Sequence, residues 1–202
     1  TQKQTIMYEL NEILSQMRER GMNVPELPTR IKIENGTAIM MQYFQYFINQ
    51  RGETFVDRPE YAEVGKWLED NKCKGLFLYG GVGTGKSQLA RMVLPAILMN
   101  YQRLIVSVYD AVQLNKTPDE ILNKHIICID DIGTESKETV LYGQHRLPLA
   151  ELLDACEKKG KLLIATSNLN GHELLDRYGE RTVDRLKSMT KRILFTGDSF
   201  RK

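Results

Sequence analysis

A glycine-rich segment of eight residues, GGVGTGKS at positions 80–87, constrains the fold of this chain more than any other feature. It fits the pattern G-x-x-x-x-G-K-[ST], in which the backbone N–H groups of a tight loop surround phosphate oxygens. The apolar residues 76–79 predict a buried strand before the loop. Residues 88–94 predict a helix after it, and a helix N-terminus attracts anions. This strand–loop–helix context predicts a P-loop that binds a nucleotide.

Two side chains of this loop are expected to add contacts to those of its backbone N–H donors. Lys86 is expected to reach the β- and γ-phosphates, and Ser87 to bind Mg²⁺ through its hydroxyl. The predicted nucleotide is ATP or ADP, because the guanine-recognition pattern N-K-x-D is absent; residues 115–119 read NKTPD, with the aspartate one position late. The residues expected to contact the nucleotide are Gly80, Gly81, Val82, Gly83, Thr84, Gly85, Lys86, Ser87 and Gln88.

A second motif, IICIDD at residues 126–131, follows the P-loop after one strand-sized apolar run. Four apolar residues followed by two carboxylates are typical of a Walker B strand, which predicts that Asp130 binds Mg²⁺ at the strand end. Asp131 occupies the position of the residue that orients the attacking water, although many ATPases carry the longer glutamate there. Glu135, in the following loop, is a second candidate for that role.

A polar residue after the fourth predicted strand is a candidate for contact with the γ-phosphate. Asn168 follows a predicted strand at residues 162–166 and could hydrogen-bond the γ-phosphate or the lytic water; the alternative is an ordinary polar loop residue. Arg185 lies in a predicted helix four residues after Arg181, and from the residues alone it is interpreted as part of a solvated surface, paired with Asp184. A strand between the P-loop and Walker B, with a polar residue ending the next strand, is typical of the additional-strand class of P-loop ATPases.

Apolar runs typical of strands alternate with patterns typical of helices, which predicts an α/β fold. In this fold a five-stranded parallel sheet carries helices on both faces. The strands are predicted at residues 76–79, 104–108, 125–130, 162–166 and 192–196. The helices are predicted at residues 2–20, 37–50, 59–70, 88–94, 140–159 with a bend at Pro148, and 172–188, with one more beginning near Pro118.

The first 28 residues are predicted to be separable from the rest. Apolar residues recur at helical spacing over residues 2–20, and Pro25 and Pro28 interrupt any continuing helix. Residues 1–28 are therefore interpreted as an amphipathic helix and linker, either packed on the domain or serving as a docking arm for a partner. Residues 29–202 are interpreted as one ATPase domain, including the lead-in helices at 37–50 and 59–70.

The charge, the cysteines and the apolar runs of the sequence limit which classes of function this chain can have. The formal net charge is +2, and residues 161–202 carry nine Lys/Arg and five Asp/Glu, a local charge of +4 that is too small to indicate nucleic-acid binding by itself. Cys73, Cys128 and Cys156 are far apart and lack metal-ligand spacing, which favours a reducing, cytoplasmic setting. The sequence shows neither a signal peptide nor an apolar run long enough to span a membrane, so no membrane association is expected.

Residues 76–202 resemble the DnaC/IstB-like branch of the AAA+ ATPases, which contains loaders of replicative helicases. Besides the P-loop, the resemblance rests on IDDIG at 129–133, TSNL at 166–169, YGER at 178–181, DRL at 184–186 and GDSFR at 197–201. It implies an AAA+ fold that stops after the fifth strand, without a C-terminal helical lid. At residues 154–157 this chain has DACE, where the family often carries arginines.

The resemblance also implies roles and partners. Asn168 looks like the sensor-1 residue, Arg185 like an arginine finger acting on a neighbour's nucleotide, and Arg201 like a sensor-2 substitute acting in its own subunit. An ATPase of this branch self-associates with nucleotide at the subunit interface, contacts single-stranded DNA and delivers a DnaB-type helicase. Two alternatives remain: an IstB-like ATPase helper of a transposase, and a nucleotide-gated adaptor with negligible turnover.

Overall fold

The computed structural model of the chain describes residues 12–22, 24 and 26–196. Residues 12–19 are helical, in agreement with that part of the predicted N-terminal helix; its residues 2–11 lie outside the described residues. The division at residue 28 stays a prediction. Within the described part of the chain, none of the helices combines the length and the apolar character needed to cross a membrane.

The remaining elements follow in the alternating order that the sequence predicts. In chain order they are α1 (Gly36–Gln50), α2 (Pro59–Glu69), β1 (Gly75–Gly80), α3 (Lys86–Gln88, a π-helical turn Leu89–Val93, and Leu94–Gln102), β2 (Ser107–Asp110), α4 (Gln113–Lys116), α5 (Pro118–Leu122), β3 (Ile126–Ile132), β4 (Thr139–Leu141), β5 (Gln144–Arg146), α6 (Pro148–Lys158), β6 (Leu162–Ser167), α7 (Gly171–Tyr178), α8 (Glu180–Met189) and β7 (Thr190–Phe195).

Five strands form one parallel sheet in the order β2-β3-β6-β1-β7, which confirms the predicted five-stranded parallel architecture. Strand β6 lies between β3 and β1. The carboxyl ends of these three strands therefore meet at one edge, where open α/β sheets bind their ligands. The P-loop, the two adjacent aspartates and Asn168 all leave the sheet at this edge.

Side chains alternate between two hydrophobic cores along each central strand. In β3, Ile126 and Cys128 face the core formed with α1, α2 and α3, whereas Ile127 and Ile129 face the core formed with α4 to α8. The first core contains Trp67 and Phe44, both almost completely buried. Two covered faces explain why these strands are continuously apolar in sequence.

The helix predicted over residues 140–159 was wrong in its first half. Residues 139–146 form an antiparallel hairpin of β4 and β5, and α6 begins only at Pro148. The two-residue turn at Tyr142 and Gly143 has positive φ at both positions (52° and 77°), the geometry that joins tight hairpins. Pro148 occupies the first turn of α6, where its missing N–H costs nothing, so it starts the helix instead of bending it.

Other predicted boundaries also differ from the structure, and the helix predicted over residues 88–94 extends to Gln102. The helix predicted over residues 172–188 is two helices, α7 and α8, separated at Gly179, whose φ is 78°. Strand β2 begins at Ser107, three residues later than predicted, because the preceding helix ends in a left-handed cap. Arg103 has φ of 57°, and the N–H of Leu104 donates to the carbonyl of Leu98 at 3.2 Å.

Candidate nucleotide-binding site

The P-loop follows β1 and is held against two parts of the fold. Gly80 has φ of 111°, and a Cβ there would lie 2.4 Å from the carbonyl oxygen of Phe195, so only glycine fits beside β7. On its other side the loop packs on the aromatic residues of α1 and α2. A Cβ at Gly85 would lie 3.1 Å from both the Phe44 ring and the Tyr61 hydroxyl. The loop shape is thus supported by residues outside the motif.

Lys86 is buried beneath the loop, with only 4% of its surface exposed. Its Nζ donates to the carbonyls of Gly80 at 2.9 Å and Gly81 at 2.6 Å. Burial lowers the Lys86 pKa to about 8, and the negative charges of Asp131 and Asp130 oppose that decrease. Because both aspartates influence the Lys86 pKa, the lysine and the two carboxylates belong to one electrostatic site.

The two aspartates lie at an irregularity in β3. The pairing of β3 with β6 shifts register between Ile129 and Ile132, and Asp131 adopts φ of 64°, a left-handed conformation that is uncommon for an L-residue. Because of this irregularity, the consecutive residues Asp130 and Asp131 can both place their carboxylates at the end of the strand. Burial and the neighbouring Asp130 charge raise the Asp131 pKa, whereas Lys86 acts in the opposite direction.

Thr166 links the two aspartates. Its hydroxyl donates to Asp130 Oδ1 at 2.6 Å and accepts from the backbone N–H of Asp131 at 2.8 Å. The threonine is 1% exposed, so this hydrogen-bond geometry is protected from water. It positions the Asp130 side chain and the unusual Asp131 backbone together. The sequence predicts Thr166 as a strand residue without a role in the site; its position two residues before Asn168 is the available signal.

Asn168 lies beside the Walker B carboxylates, as its position at the end of β6 predicts. Its Nδ2 donates to Asp131 Oδ1 at 2.7 Å. The side chains of Lys86, Asp130, Asp131 and Asn168 thus come from three neighbouring strand ends and meet at one edge of the sheet. This arrangement provides a cation that can bind phosphate and carboxylates that can bind a metal ion and a water molecule. It also provides a side-chain amide that can donate a hydrogen bond.

Glu135 is directed to a different set of partners. It is 2% exposed; its carboxylate accepts from the backbone N–H of Gly133 at 2.8 Å and from the Tyr178 hydroxyl. The Arg177 guanidinium donates to the Glu135 carbonyl. These bonds join the loop after β3 to α7, and both Glu135 carboxylate oxygens are engaged in them. Asp131, in contrast, is the carboxylate that contacts Asn168.

Arg185 is ion-paired within its own chain. Its guanidinium lies 3.4 Å from Asp154 Oδ1 and 3.0 Å from Glu157 Oε2, which joins α8 to α6. The side chain remains 24% exposed. These acidic partners belong to the DACE segment, so the surface pairing involves α6 residues rather than Asp184. Arg201 lies outside the described residues, and its role stays a prediction.

Arg91, which the sequence analysis missed, contacts the Walker B aspartate. It lies in the π-helical turn of α3, four residues after Ser87 and hence on the same helix face. Its Nη1 is 3.3 Å from Asp130 Oδ2 and also donates to Asp110 at the end of β2. The spacing from the P-loop serine was a signal for this contact, but nothing in the sequence indicated which strand ends the arginine would reach.

The donor set around Asp130 fits Mg²⁺. Among residues 12–22, 24 and 26–196, no cluster of three His, Cys, Asp or Glu side chains could hold a metal ion alone. Mg²⁺ in nucleotide sites instead uses one or two carboxylate or hydroxyl oxygens together with phosphate oxygens and water. Ser87 and Asp130 are of that type, and the Asp130 carboxylate already attracts a cationic group, the Arg91 guanidinium.

Comparison with known proteins places these elements in a known fold. The family model described as Novel STAND NTPase 3 matches residues 55–194. No curated protein sequence matches the chain. The structure of DnaI has a TM-score of 0.52 and 18% identity, covering 83% of this chain and 86% of that chain.

Two other solved structures are similar. AMPPCP-bound DnaA from Aquifex aeolicus has a TM-score of 0.51 and 19% identity, covering 69% of this chain and 48% of that chain. The DnaC helicase loader has a TM-score of 0.49 and 22% identity, covering 61% of this chain and 78% of that chain. At such identities the likeness to DnaI and DnaA establishes the fold, which is the P-loop NTPase fold of AAA+ type that the sequence predicts.

Proposed function

We propose that this chain, which belongs to the Novel STAND NTPase 3 family, is an ATP-hydrolysing, DnaC-like loader that assembles on single-stranded DNA and delivers a DnaB-type helicase. The observation that carries the nucleotide part is the meeting of Lys86, Asp130, Asp131 and Asn168 at one sheet edge. The loader part is supported by the sequence motifs shared with the DnaC/IstB-like branch and by the fold shared with DnaI.

In this proposal each polar residue acts on one part of ATP. Lys86 leaves the carbonyls of Gly80 and Gly81 and binds the β- and γ-phosphates. Ser87 and Asp130 would hold Mg²⁺, which when bound neutralises the phosphate charge. Asp131, held by Thr166 and Asn168, orients the attacking water.

A competition experiment tests the loader proposal against the transposition alternative. The tagged full chain is incubated with the replicative helicase and with an IS21-type transposase from the same host, with ATP and then with ADP. The proposal predicts an ATP-dependent complex with the helicase, and ATP turnover that rises when single-stranded DNA is added. Capture of the transposase alone would support the helper function instead. Helicase capture with no measurable turnover, with or without DNA, would support the nucleotide-gated adaptor.

Substitution of Asp131 by asparagine is expected to slow ATP hydrolysis about tenfold while ATP affinity stays within about twofold, because only the water-orienting step needs the carboxylate charge. The isosteric change Glu135→Gln is the matched control. It is expected to lower the thermal midpoint of unfolding, since Glu135 joins the β3 loop to α7, with little effect on turnover. Single-turnover kinetics measure the effect of each substitution on hydrolysis, and thermal melting measures its effect on stability. A larger loss of turnover in Glu135→Gln would assign the water-orienting role to Glu135.

ATP affinity is expected to fall as the pH rises above about 8. In the nucleotide-free protein the Lys86 pKa is about 8, so above that pH the side chain is mostly neutral. ATP favours the charged form, so binding at high pH must include proton uptake, which weakens affinity by up to about tenfold per pH unit. Calorimetric titrations between pH 7 and 9.5, in two buffers of different ionisation enthalpy, measure both quantities. If ATP affinity stayed constant over this pH range and binding took up no proton, Lys86 would not be the group that binds the phosphates.

A further inference from the structure

The position of Arg91 follows from an irregularity in α3. Pro95 has no N–H to donate to the Arg91 carbonyl four residues earlier, as a regular α-helix would require. The chain forms a π-helical turn over Leu89–Val93 immediately before this proline. Arg91 lies within that turn, and its guanidinium reaches the carboxyl ends of both β2 and β3.

The two acidic partners of Arg91 differ in their exposure to water. The Asp110 side chain is 59% exposed, whereas the Asp130 side chain is only 9% exposed. An exposed carboxylate is solvated without a partner, but a buried one is unfavourable unless a cation or a donor compensates it. The Thr166 hydroxyl donates to one Asp130 oxygen, and Arg91 lies 3.3 Å from the other. Arg91 therefore supplies a positive charge directly beside the buried Asp130 carboxylate, in addition to the charge of Lys86 in the same site.

Building on the proposed function, we infer that Arg91 is the counter-ion of Asp130 while Mg²⁺ is absent, and that Asp110 receives it when Mg²⁺ binds. Arg91 and Mg²⁺ would then compete for the negative charge of the Asp130 carboxylate. Because Arg91 already donates to Asp110, it can leave Asp130 without losing all its ionic partners. The Arg91–Asp110–Asp130 group thus sets the affinity of the site for Mg²⁺.

This inference predicts opposite effects for two neighbouring substitutions. Arg91→Gln removes the competing cation, so Mg²⁺ is expected to bind about three- to tenfold more tightly. Asp110→Asn removes the alternative partner and leaves Arg91 on Asp130, so Mg²⁺ is expected to bind more weakly by a similar factor. If the group served only to stabilise the fold, the two substitutions would not shift Mg²⁺ affinity in opposite directions.

The experiment is a calorimetric titration of Mg²⁺ into the full chain saturated with ADP, which avoids hydrolysis. Arg30→Gln is the matched control, since Arg30 also pairs with an aspartate, Asp70, at the opposite end of β1; it is expected to leave Mg²⁺ affinity unchanged. Unchanged or weaker Mg²⁺ binding in Arg91→Gln, or tighter binding in Asp110→Asn, would overturn the role of Arg91 and leave the proposed function standing. Absence of ADP binding by the unmodified chain would overturn both.

Discussion

Replacing Lys86 by alanine is expected to weaken ATP binding about 100-fold, the loss that follows from removing two charge-assisted hydrogen bonds to phosphate oxygens. Lys86 is the buried cation beneath the P-loop, and its Nζ already donates to two loop carbonyls that ATP phosphates would replace as partners. The backbone N–H groups of the loop remain in the variant, so weak binding persists. Fluorescence titration with an ATP analogue in Mg²⁺ measures the change.

Lys161→Ala is the matched control for this substitution. The Lys161 pKa is also lowered by burial, and its Nζ donates to the Lys124 carbonyl at 2.6 Å, but it precedes β6 at the opposite edge of the sheet. It is expected to leave ATP affinity unchanged. Equal affinities for the unmodified protein and Lys86→Ala would remove Lys86 from the site.

Replacing Arg185 by alanine is expected to lower ATP turnover at least about 10- to 100-fold while ATP affinity is retained. Arginine fingers in related phosphoryl-transfer systems contribute about 10³–10⁵ in rate, and even a slow enzyme would retain a part of that effect. For this role the guanidinium must leave Asp154 and Glu157 of its own chain and reach a neighbour's nucleotide. Turnover per subunit should therefore rise with protein concentration.

Mixing two inactive variants tests whether Arg185 acts between subunits. Lys86→Ala offers Arg185 but binds ATP poorly, whereas Arg185→Ala binds ATP but offers no arginine; their mixture should regain partial activity. The double change Asp154→Asn with Glu157→Gln is the control, because it removes the ion pairs and keeps the arginine. A mixture that stays inactive, together with turnover independent of concentration, would leave Arg185 with only its pairing to α6.

The sheet and the P-loop could be predicted because both have strong local signals. Strands of a parallel sheet covered on both faces are continuous apolar runs, and β3 and β6 are clear examples. The hairpin at residues 139–146 could not be separated from the following helix in the same way. Its strands have three residues each, and its turn depends on a tyrosine with positive φ, which sequence rarely reveals.

Residues of the site could be predicted where they belong to a sequence motif, but not where their positions depend on how the fold packs. Asp130 lies near the carboxyl end of the apolar strand β3 and Asn168 directly follows β6, so the parallel topology brings them to the same edge. The bond between Thr166 and Asp130 depends on strand register, and the Arg91 contact depends on a π turn before a proline. Spacing in the chain points to Thr166 and Arg91, but it does not reveal which partners their side chains contact.

The most direct test of the account is helicase loading onto closed circular single-stranded DNA, which offers no end for threading. The full chain, the DnaB-type helicase of the same host and the circle are mixed with ATP, and helicase bound per circle is measured after gel filtration in high salt. We predict that the unmodified chain raises bound helicase several-fold and that Lys86→Ala does not. Bound helicase that is the same with the unmodified chain, with Lys86→Ala and with no added chain would contradict the loader function.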